Sequence, residues 1–323
     1  MTDPAALVGL LFPFFAVIGL GVIFARAMRV PEAGLAWMQV FLVYAALPCL
    51  FFRLIAPKPI GELANWPFIA GTTAATAIAF ALSLAAGRVF RLRAPDSVMA
   101  GLAGSYANIG YMGPPMVVSL LGPAASAPVA LVFVFDTILL FSLVPALMGV
   151  AGLGRRSVGA TMAEIVKRVF THPFVLATIV GILASAFRWT PPVALDTMIG
   201  WLSGASAPCA LFTLGVTVAL RPAGRVPADV AALVAIKLLA HPAIVWVLLS
   251  AVGGIDPVWI KAAVVMAALP PALNIFVLAR QYETGVERAS ACVLVGTVAS
   301  ILTLSGFILL LETGVLPANL FGR

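Results

Sequence analysis

Two stretches of this chain place hydrogen-bonding groups where apolar ones are expected. Ser105–Pro115, SYANIGYMGPP, holds Asn108 and the pair Pro114-Pro115; Leu269–Ile275, LPPALNI, holds Pro270-Pro271 and Asn274. Each lies inside an apolar run long enough to cross a bilayer. Proline removes a backbone donor and clashes with the turn before it, so both runs are expected to break near their middles. At membrane depth such a break survives only where protein or a water-lined cavity satisfies the freed backbone groups. Paired interruptions in corresponding places of two halves point to a transporter's binding site.

The chemistry expected there is anion binding. The second half of each broken helix, starting at Met116 and at Ala272, would expose N–H groups and a positive dipole end that favour a carboxylate. Proline suits that first turn, where its missing N–H costs nothing. Asn108 and Asn274 would each add an amide donor and an acceptor. The competing reading is that each Asn only satisfies carbonyls freed by the prolines. Tyr106 and Tyr111 flank Asn108 and read either as substrate contacts or as aromatic packing.

Three ionisable residues stand deep in other runs. Asp136 is the one carboxylate well inside a span, and Lys237 and His241, at i and i+4, share one face of another helix. Charges at that depth are costly and are usually paired or functional. Three readings stay open: a structural Asp136–Lys237 pair, a proton-coupling group, or Lys237 as partner for a substrate anion. His241 precedes Pro242 and reads as a hydrogen bonder local to the kink. Lys261 and Arg280 lie near helix ends, where their heads can snorkel to the interface. Cys49, Cys209 and Cys292 have no metal-ligand spacing and read as small buried hydrophobes.

The elements that must position these residues follow from composition. Of 323 residues, 63% are hydrophobic and 10% charged, against about 25% charged in soluble globular domains. The chain is expected to be a polytopic membrane protein. Its net charge of +7 is scattered through short loops, so it reads as a topology signal rather than a nucleic-acid surface. The first run has no basic start and reads as a retained helix, not a signal peptide.

Spanning takes about 20 apolar residues, and ten crossings are expected, near Ala5–Ala25, Leu35–Phe52, Trp66–Gly87, Ser97–Leu121, Pro123–Val150, Val169–Phe187, Thr197–Leu220, Val230–Val252, Pro257–Ala279 and Ala289–Leu311. Gly122-Pro123 divides the fourth from the fifth. With the N-terminus outside, 13 Lys and Arg fall on cytoplasmic loops and 4 outside, so both termini are expected outside the cytoplasm. Pro13-Phe14 recurs as Pro173-Phe174, Pro48-Cys49 as Pro208-Cys209, and Asp96 as Asp256, each 160 residues on. Residues 1–152 and 169–323 therefore read as two five-helix repeats, the second inverted, with 153–168 as a cytoplasmic linker.

ANIGYMGPP with the Gly122 that follows, ALPCLFFRLIA, APCALFTLGV and LPPALNIFVLARQYE resemble the auxin efflux carrier family over nearly the whole chain. The resemblance implies an all-α membrane protein of ten transmembrane helices in two inverted five-helix repeats, with crossed, broken helices four and nine in a mobile transport domain. Helices one, two, six and seven would form the scaffold. It also implies a carrier of small organic anions such as mono- or dicarboxylates, in the cell membrane, needing no cofactor. The expected substrate-binding set is Asn108, Gly110, Gly113, Pro114, Pro115, Pro270, Pro271 and Asn274. Asp136, Lys237 and His241 stand beside it as coupling or structural groups. No nucleophile–base set or metal site suggests an enzyme. A sodium-coupled symporter of the bile-acid type and an anion channel remain as alternatives, and the assembly state, a homodimer included, stays open.

Overall fold

The computed structural model describes residues 4–29, 31–152, 159, 163, 166–167, 169–220, 225–317 and 320. The expected linker 153–168 lies almost wholly outside them. Among the described residues the chain is helical throughout and contains no strand. Among these residues, seven helices are long and apolar enough to cross a membrane.

In chain order the helices are α1 (Pro4–Met28), α2 (Leu35–Ile55), α3 (Trp66–Val89), α4 (Ala94–Ala103), α5 (Gly113–Leu121) and α6 (Ser126–Val150). After the linker come α7 (Pro173–Ala186), α8 (Val193–Leu220), α9 (Val230–Val252), α10 (Pro257–Ala268), α11 (Asn274–Gln281) and α12 (Val286–Glu312). The expected fourth run is therefore α4 plus α5, broken just ahead of Pro114-Pro115, and the ninth is α10 plus α11, broken at Pro270-Pro271. Gly122 ends α5 at φ 76°, a left-handed conformation that glycine adopts without steric cost. That residue divides the long uncharged run between α5 and α6.

Proline acts differently in α2 and α9. Residues Leu42–Ala46 and Ile236–Ala240 form single π turns, just ahead of Pro48 and Pro242. The N–H of Leu47 reaches back to the Leu42 carbonyl, and that of His241 to Ile236. Widening the turn by one residue keeps the chain helical where proline lacks a donor and crowds the carbonyl four residues back.

Two packing groups result. α1 lies along α8, and α7 lies along the second half of α2, which also meets α8. The α1–α8 contact is a backbone approach: a methyl added at Gly215 would stand 2.0 Å from the Ile18 carbonyl oxygen, and one at Gly21 2.3 Å from that of Phe212. Elsewhere α3 packs on α4 and on α9, α9 on α10, and α12 on both α10 and α11, with α6 against α4, α5 and α10. Ion pairs tie ends of this second group. Arg288 of α12 bonds Asp229 at the start of α9 and stands 3.9 Å from Asp96 of α4. Asp96 also takes the Thr284 hydroxyl at 2.7 Å. Lys261 pairs with Glu312 at 3.1 Å. Arg280 lies 4.7 Å above the Phe276 ring.

Candidate functional site

The two breaks meet. Between α4 and α5 the chain runs extended past Ala107, and between α10 and α11 it runs extended past Pro271, the two lying antiparallel. The Asn108 N–H donates to the Pro270 carbonyl at 2.8 Å, and the Ala272 N–H donates to the Tyr106 carbonyl at 3.0 Å. Each unwound segment thus supplies partners that the other lost by leaving its helix, as buried backbone demands in a membrane.

This geometry corrects the expected helix starts. The second halves begin at Gly113 and Asn274, not at Met116 and Ala272. Pro114 and Pro115 sit in the first turn of α5, whereas Pro270 and Pro271 lie in the extended crossing. The Met116 N–H is already bonded to the Met112 carbonyl at 3.2 Å, and that of Ala272 to Tyr106. The N–H groups of Met112 and Gly113 both go to the Asn108 carbonyl. The backbone donors expected to hold an anion at Met116 and Ala272 are therefore occupied, and donor chemistry shifts to side chains.

Asn108 is 1% exposed. Its Oδ1 accepts from the Tyr111 N–H at 3.4 Å, while its Nδ2 has no partner. A buried amide donor left unpaired costs on the order of 1–3 kcal/mol. Asn274 is half-buried, and its Nδ2 donates to the Tyr106 hydroxyl at 3.4 Å. The Tyr106 ring packs edge-on to Phe141, 6.2 Å between centroids, so this residue both packs and bonds. Gly110 and Gly113 are buried for reasons of space. A methyl on Gly110 would come within 3.3–3.4 Å of the Phe133 and Phe174 rings, and one on Gly113 would stand 2.6 Å from Met266 Sδ. Gly113 thereby lets α5 and α10 approach.

A cavity of about 280 Å³ is bounded by α6, α7 and α11, with Phe141, Pro145, Thr171, His172 and Leu278 on its wall. Phe141 of its wall is the ring that packs on Tyr106, and Leu278 lies one turn from Asn274. His172 sits among the rings of Phe133, Phe141 and Phe174, with Nδ1 buried and unpartnered. Its role was not legible in the sequence, where one His before a proline carries no pattern.

Asp136, Lys237 and His241 are all buried and drawn together, but Asp136 and Lys237 form no direct ion pair. Thr76 of α3 stands between: its hydroxyl donates to Asp136 Oδ2 at 3.0 Å and meets His241 Nε2 at 3.2 Å. His241 Nδ1 lies 3.3 Å from Lys237 Nζ. Lys237 Nζ also donates to the Ala267 carbonyl, at the negative C-terminal end of α10, where a cation is favoured. His241 is thus a bridge between Lys237 and Thr76. Thr76 went unnoticed in the sequence, since a single Thr in an apolar helix normally bonds its own backbone. Among the described residues no cluster of side chains could hold a metal.

Comparison with known proteins gives matches along the whole chain. The family model described as "Membrane transport protein" matches residues 6–152 and 155–308. A Rhizobium meliloti protein named "Putative malonate transporter" is 42% identical over 318 residues, 98% of this chain and 99% of its own length. A protein of Methanothermobacter thermautotrophicus named "Uncharacterized transporter" is 26% identical across 63% of this chain and 64% of its own. "Auxin efflux carrier component 3a" of Oryza sativa subsp. japonica is 30% identical across 50% of this chain and 28% of its own length.

Proposed function

From the premise that this chain belongs to the membrane transport protein family, that of the auxin efflux carriers, we propose that it is a secondary carrier of small organic anions. Dicarboxylates such as malonate are the first candidates, given the name of the relative that matches it end to end. The observation that carries the reading is the hydrogen-bonded crossing of two broken helices, with the Asn108 amide buried beside it and its Nδ2 unpaired. An anion entering from the neighbouring cavity would give that donor a partner, with Asn274 and Tyr106 at hand. Pro270 and Pro271 keep their segment unwound, Pro114 and Pro115 open α5, and Gly110 and Gly113 make room.

The working cycle is alternating access. α1, α2, α7 and α8 serve as scaffold and the remaining helices move against them. Reciprocal packing supports two inverted repeats, residues 1–152 and 169–323: α1 on α8 mirrors α7 on α2, and α3 on α4 mirrors α9 on α10. Both termini would then lie outside the cytoplasm, with 153–168 as the cytoplasmic linker.

The test is counterflow in proteoliposomes with a panel of mono- and dicarboxylates. Saturable accumulation of labelled malonate against a malonate-loaded interior is the expected result. Flux that does not saturate and shows no counterflow would mark a channel instead.

A further inference from the structure

The buried side chains beside the crossing form one unbranched hydrogen-bonded line: Asp136 Oδ2, Thr76 Oγ1, His241 Nε2 and Nδ1, Lys237 Nζ. Threonine has a single proton to give, and neutral imidazole has a single N–H. If Thr76 donates to Asp136, it must accept from His241, so the imidazole proton sits on Nε2 and Nδ1 accepts from Lys237. Every bond in the line then points from Lys237 toward Asp136. The opposite polarity satisfies the same atoms equally well. An Asp136 acid donates to Thr76, Thr76 donates to Nε2, and an Nδ1–H donates to an uncharged Lys237 amine. Lys237 keeps its bond to the Ala267 carbonyl in both arrangements, because amine and ammonium alike have an N–H to donate.

We propose that Asp136, Thr76, His241 and Lys237 are a proton relay that delivers positive charge from Asp136 to the break between α10 and α11. The starting state is the uncharged one, which burial favours for an acid and an amine held out of water. A proton adds to Asp136 Oδ1, the carboxyl oxygen that has no partner. The Oδ2 proton passes to Thr76, the Thr76 proton to His241 Nε2, and the Nδ1 proton to Lys237. One proton has entered, Lys237 has become an ammonium, Asp136 remains an acid, and the imidazole has changed tautomer. No other group is consumed.

The charge appears at Lys237, bonded to Ala267, three residues before the Pro270 carbonyl that holds Asn108. An anion at the crossing compensates it, so one proton accompanies each anion bound. That use rests on the carrier reading; the relay itself rests on the hydrogen bonds. The titratable groups facing the line are Tyr106, Asp136, Lys237 and His241.

Thr76→Val keeps size and both end groups but cuts the line, Thr76→Ser restores it, and His241→Gln offers a donor and an acceptor that cannot pass a proton on. Two readouts are taken on the full chain. In proteoliposomes, wild type and Thr76→Ser should show malonate uptake driven by a pH gradient. Thr76→Val and His241→Gln should lose it. In nanodiscs, difference infrared spectra follow the protonated-carboxyl band assigned to Asp136 by its absence in Asp136→Asn. Its titration should shift in Thr76→Val and not in Thr76→Ser. Unchanged titration and unchanged gradient-driven uptake in both chain-breaking variants overturn the relay. Should wild type show no counterflow with any carboxylate, the carrier reading falls, and the infrared titration still decides the relay.

Discussion

At the residue scale, Asn108 divides its two ends between two jobs. Its oxygen holds the Tyr111 N–H, and its nitrogen is free. Asn108→Asp keeps the oxygen, removes the amide donor and, when ionised, sets a negative charge against the anion, so binding should weaken by more than the roughly 1–3 kcal/mol of a lost donor, about tenfold or more. Asn108→Ala removes both and should lower thermal stability as well. Ligand titration of purified variants checks this, and normal affinity in both would leave the amide with the kink alone. Much of this site was legible in the sequence, because Asn and Pro-Pro in an apolar run are local anomalies. Thr76 was not. Its partners are 60 and 165 residues away, and nothing in its own neighbourhood signals them. For the same reason His241, next to Pro242, looked local to a kink while its imidazole was spoken for at both nitrogens.

At the scale of elements, proline does three different things here. In α2 and α9 it is absorbed by a π turn, in α5 it opens a helix, and at the crossing it keeps the chain extended. Sequence could predict interruption but not which of these outcomes, since the choice depends on what packs opposite. The expected starts at Met116 and Ala272 failed on that account: Pro270 and Pro271 found a backbone partner across the crossing instead of a helix to begin. Close approach is equally dependent on neighbours. Gly215→Val should force α1 off α8, because its Cβ would fall 2.0 Å from the Ile18 oxygen. Overpacking of this kind costs roughly 1–3 kcal/mol. Thermal melting in detergent should show the loss, with Gly204→Ala, where nothing lies within 4 Å, as the silent control.

For the whole molecule, hydropathy was enough to find the seven helices that, among the described residues, are long and apolar enough to cross a membrane, and the 160-residue echoes suggested how the halves correspond. The reciprocal packing of α1 with α8 and α7 with α2 is a property no single helix carries. Topology gives the corresponding prediction. In a background without Cys49, Cys209 and Cys292, single cysteines at Thr2 and Gly322 should react with an impermeant thiol reagent from outside. A cysteine at Ser157 should react only after the membrane is opened. Protection of either terminus would contradict ten crossings.

The crossing also sets a clock on the chain's synthesis. Ala107 and Pro271 are 164 positions apart, so the first broken helix enters the bilayer long before its partner exists. At about 5–20 residues per second, the Tyr106 carbonyl and the Asn108 N–H wait roughly 8–33 s for Ala272 and Pro270 to be made. Until then those two groups need a temporary host, whether water, the insertion machinery or a neighbouring helix. A chain cut off after its first half would be left with that debt permanently, and should be cleared by the cell's proteases rather than accumulate.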